Sequence, residues 1–461
     1  MNPNRSPWIH QLNSARPIIR LVDHLSTQVA IVGAGIAGIS TAYFTLKNTN
    51  KKVALIEANK VAHGATGHNA GVVVSKFERQ FSDMVSEFGL EKTAEAQTAI
   101  DSAWQILEQI FVDAKLQTPF HQFTGYEGCG SLAEVIVRLD NNRDLHEAGL
   151  KPEQVLIAEN SALASKIPEG YKDWYSLVPQ QNILDLLETA DTHYIAAWAC
   201  HKGTMNSALF CEELLGYLIA TYPDRITLAE ETPVKELVLE KEQAILYTQA
   251  GHQIRATHVV LCTNGFEHFT ITNKAGAEKD VDEKFHQLVN GSVGYMAAYL
   301  DKLDKPPIAI NYLPDKAEIL SNVFESEPFY YVSRRPFELE KNEKHNLICI
   351  GGPETLMDDT NNYNKQHPYP EEAQKEIDTF LHKTYKPAPK KIDYHFRWHG
   401  LMGYTPNGVR CIGPEPRNPV LLYNLGCNGI GLLPSIYGGQ KIAWFLDGKK
   451  LPPSIFDPKT T

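Results

Sequence analysis

The sequence contains no CxxC pair, no run near the roughly 18 apolar residues of a membrane helix and no excess of basic charge. Its seven cysteines (Cys129, Cys200, Cys211, Cys262, Cys349, Cys411 and Cys427) are scattered and odd in number. That pattern argues against structural zinc and a disulfide framework, and fits a reduced compartment. Acidic residues outnumber basic ones, 55 to 44, for a net charge of −11, which argues against a nucleic-acid partner. No internal repeat or low-complexity tract is present. The first 27 residues have no secretory h-region. Arg5, Arg16 and Arg20, with no acid before Asp23, would also suit a mitochondrial presequence. Pro7, Pro17 and scattered apolar residues fit an ordered strap better. The expected location is cytoplasmic, with the mitochondrial matrix as the alternative and no membrane span.

The chain has 461 residues, enough for two domains with a large core. "QVAIVGAG" reads as a buried strand, "IAGISTAYFTLKNT" as a helix and "KKVALIEA" as a second strand. Residues 28–58 therefore form a βαβ unit of about 30 residues. Gly33, Gly35 and Gly38 have GxGxxG spacing where strand meets helix. The first glycine makes the tight turn, the second lets backbone approach a pyrophosphate, and the third lets helix pack on strand. The helix N-terminus, with Ile36 and Ala37, offers N–H groups and a positive dipole end to phosphates. Glu57 closes the second strand 19 residues beyond Gly38, where an acid binds a ribose diol and disfavours a 2′-phosphate. Ala58 follows, and then a second small-residue loop, "HGATGHNAG", at residues 63–71. Together these features point to a bound dinucleotide.

Farther along, residues 83–115 have helical apolar spacing with a break near Gly89. "TMNSALFCEELLGYLIATYP" predicts a helix after a turn at Gly203. A β-meander follows and ends in "HVVLC". "PEEAQKEIDTFLHKTY" predicts a helix just after Pro370, and "SIYGGQKIAWFLDG" another near the end. His395 and His399, four apart on a predicted strand, share a face without making a metal-ligand set. No metal site is expected, and no Ser/His/Asp constellation is evident.

"VAIVGAGIAGISTAY", "VALIEA" and "HGATGHNAG" together resemble the D-amino-acid oxidase-like flavoproteins. That family includes glycine and sarcosine oxidases, and the γ-glutamylputrescine oxidase branch looks closest. "TPVKEL", "VVLCTNGF", "WHGLMGYTPNGVRCIG" and "NLGCNGIGLLPSIYGGQKIA" continue the resemblance in order. It implies an α/β FAD-binding Rossmann-like domain interleaved with an α+β substrate domain on a mixed or antiparallel sheet. The implied division is a strap at 1–27, a FAD-binding domain at 28–115, 201–275 and 396–450, and a substrate domain at 116–200 and 276–395. It adds Gly64, Ala65, Thr66, His68, Asn69, Ala70, Gly71, Val234, Thr263, Gly265, Asn428, Gly429 and Gly431 to the FAD-binding candidates named above. Some positions depart from the family: Asn407 stands where Asp is common, and Arg410 where many members have Pro. Leu433 falls at the carboxylate-binding lysine of monomeric sarcosine oxidase, and Gly400 near the cysteine that tethers its flavin.

The resemblance implies oxidation of a C–N bond in an amine or amino acid, with hydride passing to flavin N5 and the imine then hydrolysed. Oxygen or an electron carrier would take the electrons. A noncatalytic FAD-binding redox sensor or structural flavoprotein is the alternative function. Tyr295, Tyr331, Arg334 and Arg397 are the substrate-contact candidates, subject to the alternation that decides which side of a strand faces a cavity. His68 has three readings: a loop residue bonding backbone or phosphate, a covalent histidyl link to FAD as in dimethylglycine dehydrogenase, or a titratable group near the ring.

Overall fold

The computed structural model describes residues 4–275, 281–313 and 329–459. The first three residues of the expected strap, and 276–280 and 314–328 of the expected substrate domain, lie outside them. Two sheets organise the chain. In the first, strand Leu25–Val32 lies parallel between Val53–Ile56 and Gln253–Leu261. Its second half and all of Val53–Ile56 are buried on both faces, as a parallel sheet covered on both sides requires. The meander Val234–Leu239, Ala244–Thr248 and Gln253–Leu261 extends it antiparallel, and Leu421–Leu425 joins from the C-terminal part.

Helix Ile36–Asn48 leaves the first strand across the glycine turn and packs back on the sheet. A Cβ on Gly38 would lie 1.8 Å from the Gly33 carbonyl, so no other residue lets helix and strand approach this closely. A Cβ on Gly439 would lie 2.7 Å from the Thr41 nitrogen. This lets helix Leu432–Leu446 nest against Ile36–Asn48 and brings a C-terminal element to the dinucleotide turn. Helices Phe81–Phe88 and Leu90–Ala114 meet at Gly89, whose φ of +85° makes the predicted break.

The second sheet runs in the order Tyr394–Tyr404, Asn290–Asp301, Lys344–Met357, Tyr330–Glu338, Ile308–Tyr312, Phe120–Cys129, Ala196–Met205, Val155–Ala158, Tyr175–Val178. Strand Ala196–Met205 runs straight through Gly203, so the turn expected there is absent. Gly203 pairs in register with Gln122, and Asn206 instead starts the helix Ser207–Thr221 by accepting from the nitrogens of Ala208 and Leu209. Among the described residues no helix is long and apolar enough to cross a membrane.

Residues 4–12 lie across the first core. Trp8 is fully buried there with Val73, Trp398 and Leu433.

Candidate active site

A single cleft of about 2120 Å³ begins at the glycine turn and ends under the second sheet. Gly33, Gly35, Ile36, Ala37, Glu57, Ala58, Gly64, Ala65, Thr66, His68, Asn69, Ala70, Val234, Thr263, Gly429 and Gly431 line it. Gly38, Gly71, Gly265 and Asn428 stand behind the wall and shape it. Gly265 turns the chain at φ +95° against Val289, and Asn428, at φ +46°, accepts from the Thr405 nitrogen at 2.8 Å.

At the turn, a Cβ on Gly33 would lie 2.7 Å from the Cys262 carbonyl, and φ there is +99°. Glu57 closes the far side. Its two carboxylate oxygens accept from the nitrogens of Ala34 and Asn59, each at 2.9 Å. Burial pushes its pKa up, while those two backbone bonds pull it down. Beside it Lys365 donates to the His63 carbonyl at 2.8 Å, and burial pulls its pKa down.

The loop at 63–71 is held from three directions. Ser6 Oγ donates to the Gly67 carbonyl. Trp8 Nε1 donates to the Asn69 carbonyl at 2.6 Å, and Trp398 Nε1 reaches the same oxygen at 3.3 Å. Asn69 Nδ2 donates to Thr66 O and Ser207 Oγ, and its Oδ1 accepts from the Gly71 nitrogen. His68 Nδ1 lies 2.9 Å from the Gly64 carbonyl. A carbonyl only accepts, so Nδ1 carries the proton and Nε2 the lone pair. Burial holds the pKa of His68 down to about 4, so the ring is neutral at pH 7. Gly400 backs this loop, and a Cβ there would lie 2.6 Å from the His68 carbonyl. The backbone leaves no room for a cysteine tether at that position. Leu433 is fully buried in the core.

Opposite the loop, residues 427–431 turn into helix Leu432–Leu446, whose open N-terminus faces the cleft. Arg410 lies in the same wall and is buried. It donates to Asn424 Oδ1 at 2.6 Å, Asn424 O at 2.8 Å and Gly426 O at 3.2 Å. All three acceptors are neutral, and burial brings its pKa down to about 10. Thr263 Oγ1 and both Glu267 oxygens are buried without a hydrogen-bond partner among the described residues, and both residues line the cleft. Burial pushes Glu267 up to about 8, so it stands ready as a neutral donor to a polar ligand.

Beyond the turn lies a polar chamber. Ser292, Gly294 and Met296 face it from one strand, and Tyr331, Glu354, Met402 and Tyr404 from neighbouring strands. Glu78 enters from the segment after Val72–Val74, and burial, with Glu354 nearby, pushes its pKa up to about 7. Deeper in, Glu127 pairs with Lys76 at 2.5 Å and Lys202 at 3.5 Å, and accepts from Trp198 Nε1 at 2.9 Å. Burial would raise its pKa, but Lys76, Lys202 and Arg138 outweigh burial and keep it ionised.

Of the four substrate-contact candidates, only Tyr331 lines the chamber. The other three need correction. Alternation that turns Ser292, Gly294 and Met296 inward turns Tyr295 outward, where its ring meets Tyr369 and His399 at 5.9 and 6.1 Å. Arg334, on the far face from Tyr331, forms a two-pronged pair with Glu188 at 2.7 Å and donates to Tyr385 Oη. Arg397 is exposed, bonding Gln374 and lying over Tyr394. Sequence reasoning missed Glu78, Glu267, Glu354, Lys202 and Lys365, which no motif marks.

A family model described as FAD dependent oxidoreductase matches residues 28–444. The chain belongs to that family. Its two-sheet architecture is the fold of that family. The putative Rieske 2Fe-2S iron-sulfur protein YhfW of Bacillus subtilis (strain 168) is 23% identical over 295 residues, covering 63% of this chain and 50% of that protein. The chain spans about half the length of the curated relatives it matches. Glycine oxidase from Geobacillus kaustophilus has a similar fold, with a TM-score of 0.64 at 15% identity, covering 95% of this chain and 99% of that one. L-proline dehydrogenase from P. horikoshii gives 0.66 at 15% identity, covering 95% and 97%. The orphaned Thr263 and Glu267, the glycine cradle and the acid at Glu57 all suit the FAD that this family binds.

Proposed function

We propose that the enzyme oxidises a C–N bond of a small amine or amino acid to an imine, which water then hydrolyses. The observation that carries this reading is the continuity of the cleft. The glycine turn and the loop at 63–71 adjoin, through the turn at 427–431, a chamber into which Ser292, Tyr331, Glu354 and Tyr404 bring polar groups. Bound FAD would supply the acceptor for the hydride leaving the substrate carbon. The chain's own residues orient and stabilise. The N-terminus of helix Leu432–Leu446 presents positive dipole to negative charge developing at the turn. Tyr331 and Tyr404, held protonated by burial, line the chamber as hydrogen-bond donors. Oxygen or an electron carrier takes the electrons afterwards.

The test is an anaerobic titration of the holoenzyme with amines, N-methyl amino acids and D-amino acids, following flavin absorbance. Bleaching by at least one of them, with imine-derived carbonyl recovered, supports the reading. A panel that never bleaches the flavin overturns it.

A further inference from the structure

We propose that Glu78 and Glu354 select the substrate by positive charge, so that the enzyme takes amines with no carboxylate on the reacting carbon. This rests on the amine-oxidation reading and narrows it. Glu78 sits beside the cofactor turn: its Oε2 lies 3.0 Å from where a Cβ on Gly429 would be, and Tyr404 Oη lies 3.4 Å from the same point. Glu354 projects into the chamber on the same side, steadied by Ser292 Oγ at 3.1 Å. Glu78 makes no hydrogen bond or ion pair among the described residues, although it is sunk into the chamber wall, and Glu354 has no ion pair there.

The cations around Glu127 are committed to acids other than Glu78 and Glu354. Lys76 and Lys202 share Glu127, and Arg138 pairs with Glu153 at 2.6 Å. Two unpaired acids in one chamber resist ionising together, and a bound cation would stabilise their charged forms. An ammonium beside Glu78 satisfies both. A carboxylate at the same point would face like charge, which is the repulsive half of specificity.

Glu78 also has a proton role open to it. Its carboxylate accepts one proton from the bound ammonium, leaving a neutral amine and a carboxylic acid. A neutral amine is the form that gives up hydride.

The experiment uses holoenzyme with bound FAD, titrated by flavin absorbance with butylammonium, the inert cation butyltrimethylammonium, and acetate. Both cations should perturb the spectrum at concentrations where acetate does not. Glu78→Gln and Glu354→Gln should each weaken cation binding by about tenfold or more with FAD content unchanged. Tighter binding of acetate than of the cations, or cation binding unmoved in both variants, overturns the proposal. Turnover separates the two readings. Cation binding lost in the variants with no amine ever bleaching the flavin supports the acidic pair and sinks amine oxidation. Bleaching by sarcosine and glycine but not by butylamine supports oxidation and sinks the pair as selector.

Discussion

The indole nitrogen of Trp8 and the carbonyl of Asn69, 61 residues apart, meet at 2.6 Å and fasten the strap to the loop that lines the cofactor end of the cleft. The same ring lies 4.1 Å below the guanidinium of Arg335, a buried cation whose pKa burial brings down to about 10. One side chain thus fills a core position, donates to the loop and faces a buried charge.

Trp8→Phe keeps most of the bulk and loses the donor. Asn69 O retains Trp398 Nε1, so we expect a loss of about 1 kcal/mol. Trp8→Ala should cost about 3–5 kcal/mol and shed FAD. Thermal unfolding and flavin content of the purified protein check both. Equal effects from the two substitutions would mean that packing plays no part.

Gly71→Ala should be worse than its single methyl suggests. The residue has φ +68°, and the new Cβ would lie 2.7 Å from the Trp8 ring and 2.9 Å from Arg335 Nη1. A destabilisation of about 1–3 kcal/mol is expected. A denaturant melt with unchanged midpoint would contradict this account of the strap.

Glu57→Gln replaces one acceptor with a donor at a carboxylate that takes two backbone N–H groups. Either Ala34 or Asn59 is then left facing an NH₂ group. FAD affinity should fall about tenfold or more, corresponding to about 1–3 kcal/mol for an unmade bond. Equilibrium dialysis against free FAD measures it.

The low pKa of His68 gives stability a pH slope. The folded protein holds the ring neutral down to about 4, whereas an unfolded chain protonates it near 6.5. Between those values the unfolded state binds more protons. The contribution of His68 is therefore full above 6.5 and lost as pH falls toward 4. His68→Asn should flatten this part of the slope in melts run from pH 7.5 to 4.5. An unchanged slope would show that the ring is already charged in the folded protein.

The cofactor end was readable because its constraints are local. Gly33, Gly35, Gly38 and Glu57 occupy fixed spacings around one strand–helix–strand unit, and the backbone they shape can be drawn from the sequence alone. The chamber was not readable. Whether Tyr331 or Arg334 faces inward depends on strand parity, and parity is fixed by pairing between Tyr330–Glu338 and Lys344–Met357, not by either strand's pattern. Tyr295 failed for the same reason. Glu78 and Glu354 lie 276 positions apart, so the chain carries no local trace of their meeting. Gly203 misled because glycine in a strand signals close backbone approach as well as a turn, and here a Cβ would lie 2.8 Å from the His121 carbonyl.

The Asn69 carbonyl receives Trp8 from before the loop in the chain and Trp398 from far beyond it. The two donors lie 390 positions apart, so neither local segment can supply both. The loop therefore takes its full set of hydrogen bonds only when segments far apart in the chain have come together, which ties the shape of this end of the cleft to global rather than local folding.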